Sequence, residues 1–123
     1  DKTKILKFTF SNIFKQMKNA KEIYKENPFF INIPAKEMYE TEAEDSILVQ
    51  GIIDLYFINE NNKLILVDYK TDYVPEKNEE YLIEKYEKQL KIYARALEEA
   101  LNKKVDEIYI YSTYLNKEIF LKK

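Results

Sequence analysis

Runs of apolar residues, some of them alternating with polar ones, predict β-strands in much of the chain. The two longest runs are ILVQGIIDLYFI at residues 47–58 and KLILVDYK at residues 63–70, and both are rich in β-branched and aromatic residues. They flank NENN, a turn signal because Asn tolerates left-handed backbone, so the three segments predict a β-hairpin. Upstream, KEIYKENPFFINIPA predicts two short extended segments around Pro28. Downstream, DEIYIYST and KEIFLK predict two closing strands.

Two other segments show the three-to-four-residue apolar spacing of amphipathic helices. SNIFKQMKNA predicts a short helix that Ser11 and Asn12 can cap, and residues 79–104 predict a long one. The apolar stripe of the long helix consists of Leu82, Tyr86, Leu90, Tyr93, Leu97 and Leu101. AKEMYETEAEDS is polar and predicts a loop with at most one helical turn. The order α, β, β, β, β, α, β, β predicts an α/β or α+β fold, a sheet with helices packed on it.

Composition narrows the chemistry more than the fold. The 123 residues are enough for one domain, and a hydrophobic fraction of 46% is enough for a core. A single glycine excludes Gly-rich phosphate loops, and the absence of cysteine and histidine excludes thiol catalysis, Ser-His triads and Cys- or His-based metal sites. The net charge of −2 is not that of a generic nucleic-acid binder, but it allows an acidic site neutralised by a metal. No apolar run is long enough to span a bilayer, and the lack of cysteine is consistent with the cytosol.

Charged residues interrupt both strands of the predicted hairpin. A turn centred on Asn61 places Asp54 directly opposite Asp68, and Lys70 shares the face of Asp68 because strand side chains alternate. Turn chemistry alone leaves other registers open. Opposed carboxylates repel each other, and protonation of one, neutralisation by Lys70 or a bridging divalent cation would relieve the repulsion. Mg²⁺ is the natural cation, since it takes hard oxygen ligands and needs only one or two carboxylates.

An alternative interpretation places both acids at exposed strand ends, where Asp68 forms a surface salt bridge with Lys70. We favour a site, because both carboxylates lie within apolar strands. The long helix adds Gln89, which shares a face with Tyr86 and Tyr93. The tyrosines alone are typical of a core, but a glutamine on the inner stripe needs hydrogen-bond partners. Its polar head is a candidate for orienting a metal-bound water, a carboxylate or a phosphate.

Three motifs together resemble a known family: GIIDLYF, LILVDYKTD and YEKQLKIYARAL. They are similar to the RecB-type nuclease domain of the PD-(D/E)XK superfamily, and most of all to the C-terminal nuclease domain of the AddA subunits of AddAB helicase–nucleases. ENPFFINIPA and DEIYIYSTYLNKEI also resemble segments of that domain. The resemblance runs from about residue 8 to the end of the chain. It implies a restriction-endonuclease-like core, with a mostly antiparallel central sheet flanked by helices.

The resemblance also implies roles for individual residues. Asp54 and Asp68 would be the carboxylate ligands of Mg²⁺, or of Mn²⁺ in its place, and the backbone carbonyl of Tyr69 would complete the metal site. Lys70 would position or activate the attacking water. The remaining matches to the family motifs are Gln89 and Tyr93, near the scissile phosphate, and Glu26, a lesser upstream contributor.

At the level of the whole protein, the resemblance implies a Mg²⁺-dependent deoxyribonuclease with exonuclease activity, working in DNA double-strand break repair and recombination. Residues 1–123 would be a single nuclease domain, the C-terminal part of a larger bacterial, cytoplasmic helicase–nuclease subunit. Its partners would be DNA and a second, AddB-like subunit, with ATP bound only by helicase domains outside these residues and no membrane involved.

The chain departs from the family pattern in two respects, since it has no histidine and no Walker sequence of an ATPase motor. The family has an upstream histidine at the metal, and this chain has no histidine, so we expect that residue on a preceding segment. The same departure raises the alternative of a catalytically inactive, nuclease-like module that binds DNA or docks a partner protein. A third and weaker interpretation is a stand-alone resolvase of the same superfamily, which would need a symmetric dimer.

Overall fold

A five-stranded sheet forms the centre of the molecule in a computed structural model that describes residues 11–40 and 42–121. The strands are β1 (Glu22–Pro34), β2 (Ser46–Ile58), β3 (Leu64–Lys70), β4 (Glu107–Ser112) and β5 (Lys117–Leu121). They lie side by side in chain order. The pair β3 and β4 is parallel, and the other three neighbouring pairs are antiparallel. The predicted mixed, mostly antiparallel sheet is confirmed.

Three α-helices accompany the sheet in the described part of the chain: α1 (Asn12–Lys18), α2 (Ala35–Met38) and α3 (Glu79–Leu101). The Ser11 hydroxyl caps α1 by accepting a hydrogen bond from the Phe14 N–H at 3.1 Å, as predicted. The helix α3 connects the parallel strands β3 and β4. It ends before Asn102, whose φ of 51° is left-handed, so the predicted end at residue 104 is wrong. Among the described residues, no helix has the length and apolarity that a membrane span requires.

The helices α1 and α3 cover opposite faces of the sheet. The leucines of α3 that are buried, Leu82, Leu90 and Leu97, pack against one face, and α1 buries Ile13 and Met17 against the other. Leu101, the last member of the predicted stripe, is 38% exposed and does not belong to the core. The rest of the stripe points toward the sheet and fixes which sheet residues lie under α3.

The β2–β3 hairpin has the predicted register. Leu55 is opposite Val67, so the turn is centred on Asn61. The carboxamide oxygen of Asn59 accepts hydrogen bonds from the N–H groups of Asn61 and Lys63, each at 2.9 Å. The turn is therefore held by side-chain bonds to its own backbone, as expected for an Asn-rich loop.

One long strand, β1, replaces the two short segments predicted around Pro28. Pro28 is tolerated because β1 is an edge strand of the sheet. The backbone irregularity lies instead at Glu26, whose φ is 49°. In the facing strand, Ile53 packs under α3 whereas Leu55 packs under α1. Two residues that simple alternation would place on one face thus lie on opposite faces, and Asp54 is where β2 changes face.

Candidate active site

Asp68 is the most buried acidic residue of the site. It lies on β3, is 3% exposed, and its Oδ2 is 2.8 Å from the Nζ of Lys70. The interpretation that places Asp68 at an exposed strand end is therefore wrong. Burial raises the pKa of Asp68 to about 6, and the nearby Asp54 charge adds to this effect while Lys70 opposes it. The fold thus holds a carboxylate in surroundings that disfavour its charge.

The side chain of Asp54 bonds across the hairpin to the backbone of the residue that follows Asp68. The paired residues of the β2–β3 ladder end at Leu55 and Val67. One step further along, Asp54 Oδ2 accepts a hydrogen bond from the Tyr69 N–H at 2.8 Å. The carboxylate of Asp54 therefore reaches the backbone of β3 at the residue between Asp68 and Lys70. The like charges are brought together as the hairpin register predicts.

The side chain of Tyr69 points to the opposite face of the sheet, as alternation predicts. Its ring lies 6.2 Å from that of Tyr111 and packs against the core under α1. Burial, followed by the charge of Asp54, raises the pKa of the Tyr69 phenol to about 12. Only the backbone of Tyr69 is available to the site, which is compatible with the predicted use of its carbonyl.

Lys70 is held on three sides by groups of the site. Besides the Asp68 ion pair, its Nζ lies 4.0 Å from the centroid of the Tyr86 ring and donates to Gln89 Oε1 at 3.5 Å. Burial lowers the pKa of Lys70, but the ion pair with Asp68 and the nearby tyrosines outweigh it and leave the pKa raised. Lys70 is therefore a stable cation at neutral pH in this arrangement.

Gln89 is exposed on α3, so its predicted place on the inner stripe is wrong. It nevertheless reaches the site, because its long side chain extends back to Lys70. The contact with Lys70 gives the amide oxygen a partner without requiring burial.

Asp72 is a site residue to which the sequence assigns no role. Its Oδ2 accepts hydrogen bonds from Lys85 Nζ and from the Tyr86 hydroxyl, each at 2.7 Å. These bonds lower the pKa of Asp72. Because the Tyr86 ring lies beneath Lys70, Asp72 fixes the ring on which the lysine rests. The sequence feature that could have indicated this role is Tyr86, since a tyrosine on an inner helical face needs a hydrogen-bond partner for its hydroxyl.

Tyr93 lies half-buried at the other end of the site. Its ring meets that of Phe29 edge to face, with centroids 4.8 Å apart. Burial and the charge of Asp68 raise the pKa of its phenol, and Lys70 opposes this. Gly51, the only glycine of the chain, makes this arrangement possible. A Cβ at residue 51 would lie 2.9 Å from Phe29 Cε1 and 3.5 Å from the Tyr93 hydroxyl.

Glu26 borders the site from β1. It is exposed, and with Lys25, Asp54, Leu55 and Tyr69 it lines a cleft of about 360 Å³. The left-handed backbone at Glu26 lies across from the point where β2 changes face. This position is compatible with the lesser role predicted for Glu26.

The donor set fits a hard divalent cation that retains most of its waters. Asp68 Oδ2 is buried, and within the described residues it accepts no hydrogen bond of regular geometry. The ammonium of Lys70 lies close to it, as an ion pair. In that same part of the chain, no group of three or more acidic side chains is arranged to hold a metal. Two carboxylates and one carbonyl are sufficient for Mg²⁺, whereas Ca²⁺ requires a larger set of oxygen ligands.

The chain belongs to the PD-(D/E)XK nuclease superfamily, whose family model matches residues 4–121. The family resemblance found in the three motifs is thereby confirmed, and the mixed sheet with helices on both faces is the fold of this superfamily. At the level of individual proteins, the chain is 42% identical to the ATP-dependent helicase/nuclease subunit of the AddA type from Clostridium novyi (strain NT), over 97% of the chain and 10% of that relative.

Two further relatives carry the same name. The protein of Acetivibrio thermocellus is 46% identical over 90% of the chain and 9% of the relative. The protein of Alkaliphilus oremlandii (strain OhILAs) is 44% identical, also over 90% of the chain and 9% of the relative. The chain spans about a tenth of the length of the curated relatives that it matches.

Proposed function

We propose that the chain is the nuclease domain of an ATP-dependent helicase/nuclease and hydrolyses phosphodiester bonds of DNA with a divalent metal ion. The observation that carries this proposal is the pair Asp54 and Asp68, held together with Lys70 on one edge of the β2–β3 hairpin. Membership of a nuclease superfamily supports the reaction class. The names of the relatives support a helicase context, in which ATP is used by other domains.

The wider assignment follows from the same relatives. Residues 1–123 would act as one nuclease domain within a longer bacterial protein, which pairs with a second, AddB-like subunit. The pair would work on DNA in the cytoplasm during break repair and recombination. Mg²⁺ is the proposed physiological metal, with Mn²⁺ as a substitute, because the small oxygen donor set suits both ions.

Different residues of the site would have different roles in hydrolysis. Asp54, Asp68 and the Tyr69 carbonyl would hold the metal ion. Held there, a divalent cation would supply Lewis-acid chemistry, that is, polarisation of a phosphoryl oxygen and a lower pKa for a water molecule. Lys70 stays protonated, so its Nζ can donate a hydrogen bond to the attacking water or to a non-bridging oxygen as negative charge develops. Gln89 orients Lys70, and the Tyr93 hydroxyl is a second candidate donor to the phosphate.

The direct test is cleavage of labelled single-stranded DNA by the full-length protein, without ATP, in Mg²⁺ and in excess chelator. We expect cleavage only with the divalent ion, and its return when Mg²⁺ or Mn²⁺ is added back. Cleavage that continues in chelator would contradict the proposal, as would equal cleavage by the wild-type protein and an Asp68→Ala variant.

A second candidate function is a nuclease-like module that binds DNA or docks a partner without hydrolysis. The absence of histidine from the chain and its net charge of −2 favour it, since the family has a histidine at the metal and generic nucleic-acid binders are basic. Calorimetric titration of the nucleotide-free protein with Mg²⁺ or Mn²⁺ separates the two candidates. Binding that weakens in Asp54→Asn supports the nuclease. The absence of binding, or binding unchanged in that variant, supports the module.

The ring of Tyr86 should contribute to the rate through Lys70. Tyr86→Leu removes both the ring beneath the ammonium and the bond to Asp72, and we expect kcat to fall by about 10-fold because a small misplacement of a catalytic group is costly. Tyr86→Phe keeps the ring and loses only the hydroxyl, so its kcat should lie between that of wild type and that of Tyr86→Leu. Steady-state cleavage by both variants measures the effect, and equal kcat in Tyr86→Leu and wild type would refute it.

A further inference from the structure

We propose that Tyr73 and Tyr114 form a stacking platform for an unpaired base of the DNA strand, next to the scissile phosphate. The proposal rests on the proposed function and specifies its substrate as single-stranded DNA at the point of cleavage. It gives a role to two tyrosines that belong to neither of the two cores.

The two rings form an exposed pair. Their centroids are 5.1 Å apart and their planes meet at 75°, so one ring presents its edge to the face of the other. Tyr73 is 65% exposed and Tyr114 is 38% exposed. Aromatic rings of this size are usually buried, and two of them held against each other in solvent offer open π-faces. Each face is suited to a flat partner such as a nucleobase.

The backbone places this pair beside the lysine of the site. Tyr73 follows Lys70 by three residues. On the other side, the Thr113 N–H donates to the Lys70 carbonyl at 3.0 Å, and Tyr114 is the next residue. Both rings are thus tied to the end of β3, where Lys70 begins its reach toward the carboxylates. A nucleotide with its phosphate at Lys70 would carry its own or its neighbour's base to the tyrosines.

The charges around the pair are suited to a strand rather than to an apolar ligand. Lys85 bonds to Asp72, the residue before Tyr73, and its Nζ lies 5.6 Å from the centroid of the Tyr81 ring, which is 37% exposed. The ion pair of Lys85 with Asp72 is partly open to solvent on the lysine side, and exposed pairs of this kind contribute little stability, so the ammonium can also approach a phosphate. Aromatic faces alternating with lysines are typical of single-strand binding surfaces.

The occupant must be single-stranded, because the bases of a duplex already stack on each other and hide their faces. Stacking on tyrosine is tolerant of sequence, since every base has a π-face. The platform would therefore hold whichever nucleotide arrives and would favour an unpaired strand over a duplex.

The test compares normal oligonucleotides with oligonucleotides that carry one abasic residue, placed in turn at each position around the cleavage point. With the full-length wild-type protein, we expect one abasic position to lower cleavage by about 10-fold, in the range for loss of one stacked base. Tyr73→Ala should lower cleavage of the normal strand by a similar factor and lose the sensitivity to that abasic position. Tyr73→Phe should behave as wild type, because the ring is retained.

Phe30→Ala is the matched control, since Phe30 is 68% exposed on β1 and not tied to Lys70. This variant should cleave the normal and the abasic oligonucleotides at the wild-type rates. Wild-type protein that cleaves normal and abasic strands equally, or a Tyr73→Ala variant that keeps the abasic penalty, would overturn the platform. Neither result would contradict the proposed function, because cleavage of DNA with a divalent ion does not require the platform.

A second measurement does not depend on cleavage. In chelator, 2-aminopurine at the sensitive position should be quenched by wild type and by Tyr73→Phe but not by Tyr73→Ala. Equal quenching by wild type and Tyr73→Ala would overturn the platform, even if the protein proved to be the inactive module.

Discussion

Asp68→Asn in the full-length protein is expected to lower divalent-dependent cleavage of single-stranded DNA by roughly 10²–10³-fold, the size of effect seen when one preorganised charge-stabilising group is lost. The amide keeps the shape of the carboxylate but loses its charge, so it binds a divalent cation far more weakly. The described part of the site has few other donors to compensate. Initial rates at saturating DNA across a Mg²⁺ titration measure the effect.

Asp45→Asn is the matched control, because Asp45 is an exposed aspartate in the segment before β2. It should retain the wild-type rate and metal dependence. The melting temperature of each variant shows whether a lost rate reflects lost folding. A folded Asp68→Asn variant that cleaves at the wild-type rate would remove Asp68 from the site and leave the nuclease proposal without its central residue.

The hairpin and its carboxylates are the part of the site that sequence reasoning can reach. Strand alternation and a turn centred on Asn61 together specify which residues are opposite each other, and the structure has that register. The burial of Asp68 follows from the apolar residues that surround it in β3. Local rules suffice here because the hairpin is a local structure.

The contacts that depend on non-local geometry are beyond those rules. Alternation assumes a regular strand, so it does not anticipate the change of face at Asp54 or the left-handed backbone at Glu26. Helical periodicity places Gln89 beside inner residues, but it does not give the width of the stripe that the sheet buries, and Gln89 lies outside that stripe.

The hydrogen bonds of Asp72 could not be predicted from the sequence either, because they are also non-local. They join the loop after β3 to Lys85 and Tyr86 of the helix, and no local pattern encodes that meeting. The predicted length of α3 is too great because apolar spacing continues to Leu101 and lysines follow, whereas Asn102 stops the helix. The roles of Asp54, Asp68, Lys70, Gln89 and Tyr93 stay predictions that activity measurements must test.

Lys70→Gln is expected to separate metal binding from cleavage. The ammonium of Lys70 lies 2.8 Å from Asp68 Oδ2, so it competes with a divalent cation for the same oxygen and repels the cation's charge. Removing that charge should leave Mg²⁺ or Mn²⁺ binding at least as tight as in wild type, as measured by calorimetry without nucleotide. Cleavage should still fall by roughly 10²–10³-fold, because the donor to the water or phosphate is lost.

The opposite pattern for Asp68→Asn makes the pair of variants informative, since that change should weaken both binding and cleavage. Lys91→Gln is the control for loss of a lysine, because Lys91 forms an exposed pair with Glu87 on α3. Lys70→Arg should not restore the rate, since a planar guanidinium presents its donors in a fixed fork and cannot reproduce the compact ammonium that lies between Asp68 and the Tyr86 ring. If Lys70→Gln lost metal binding together with cleavage, Lys70 would be a support for the carboxylates and not the group that acts on the reacting phosphate.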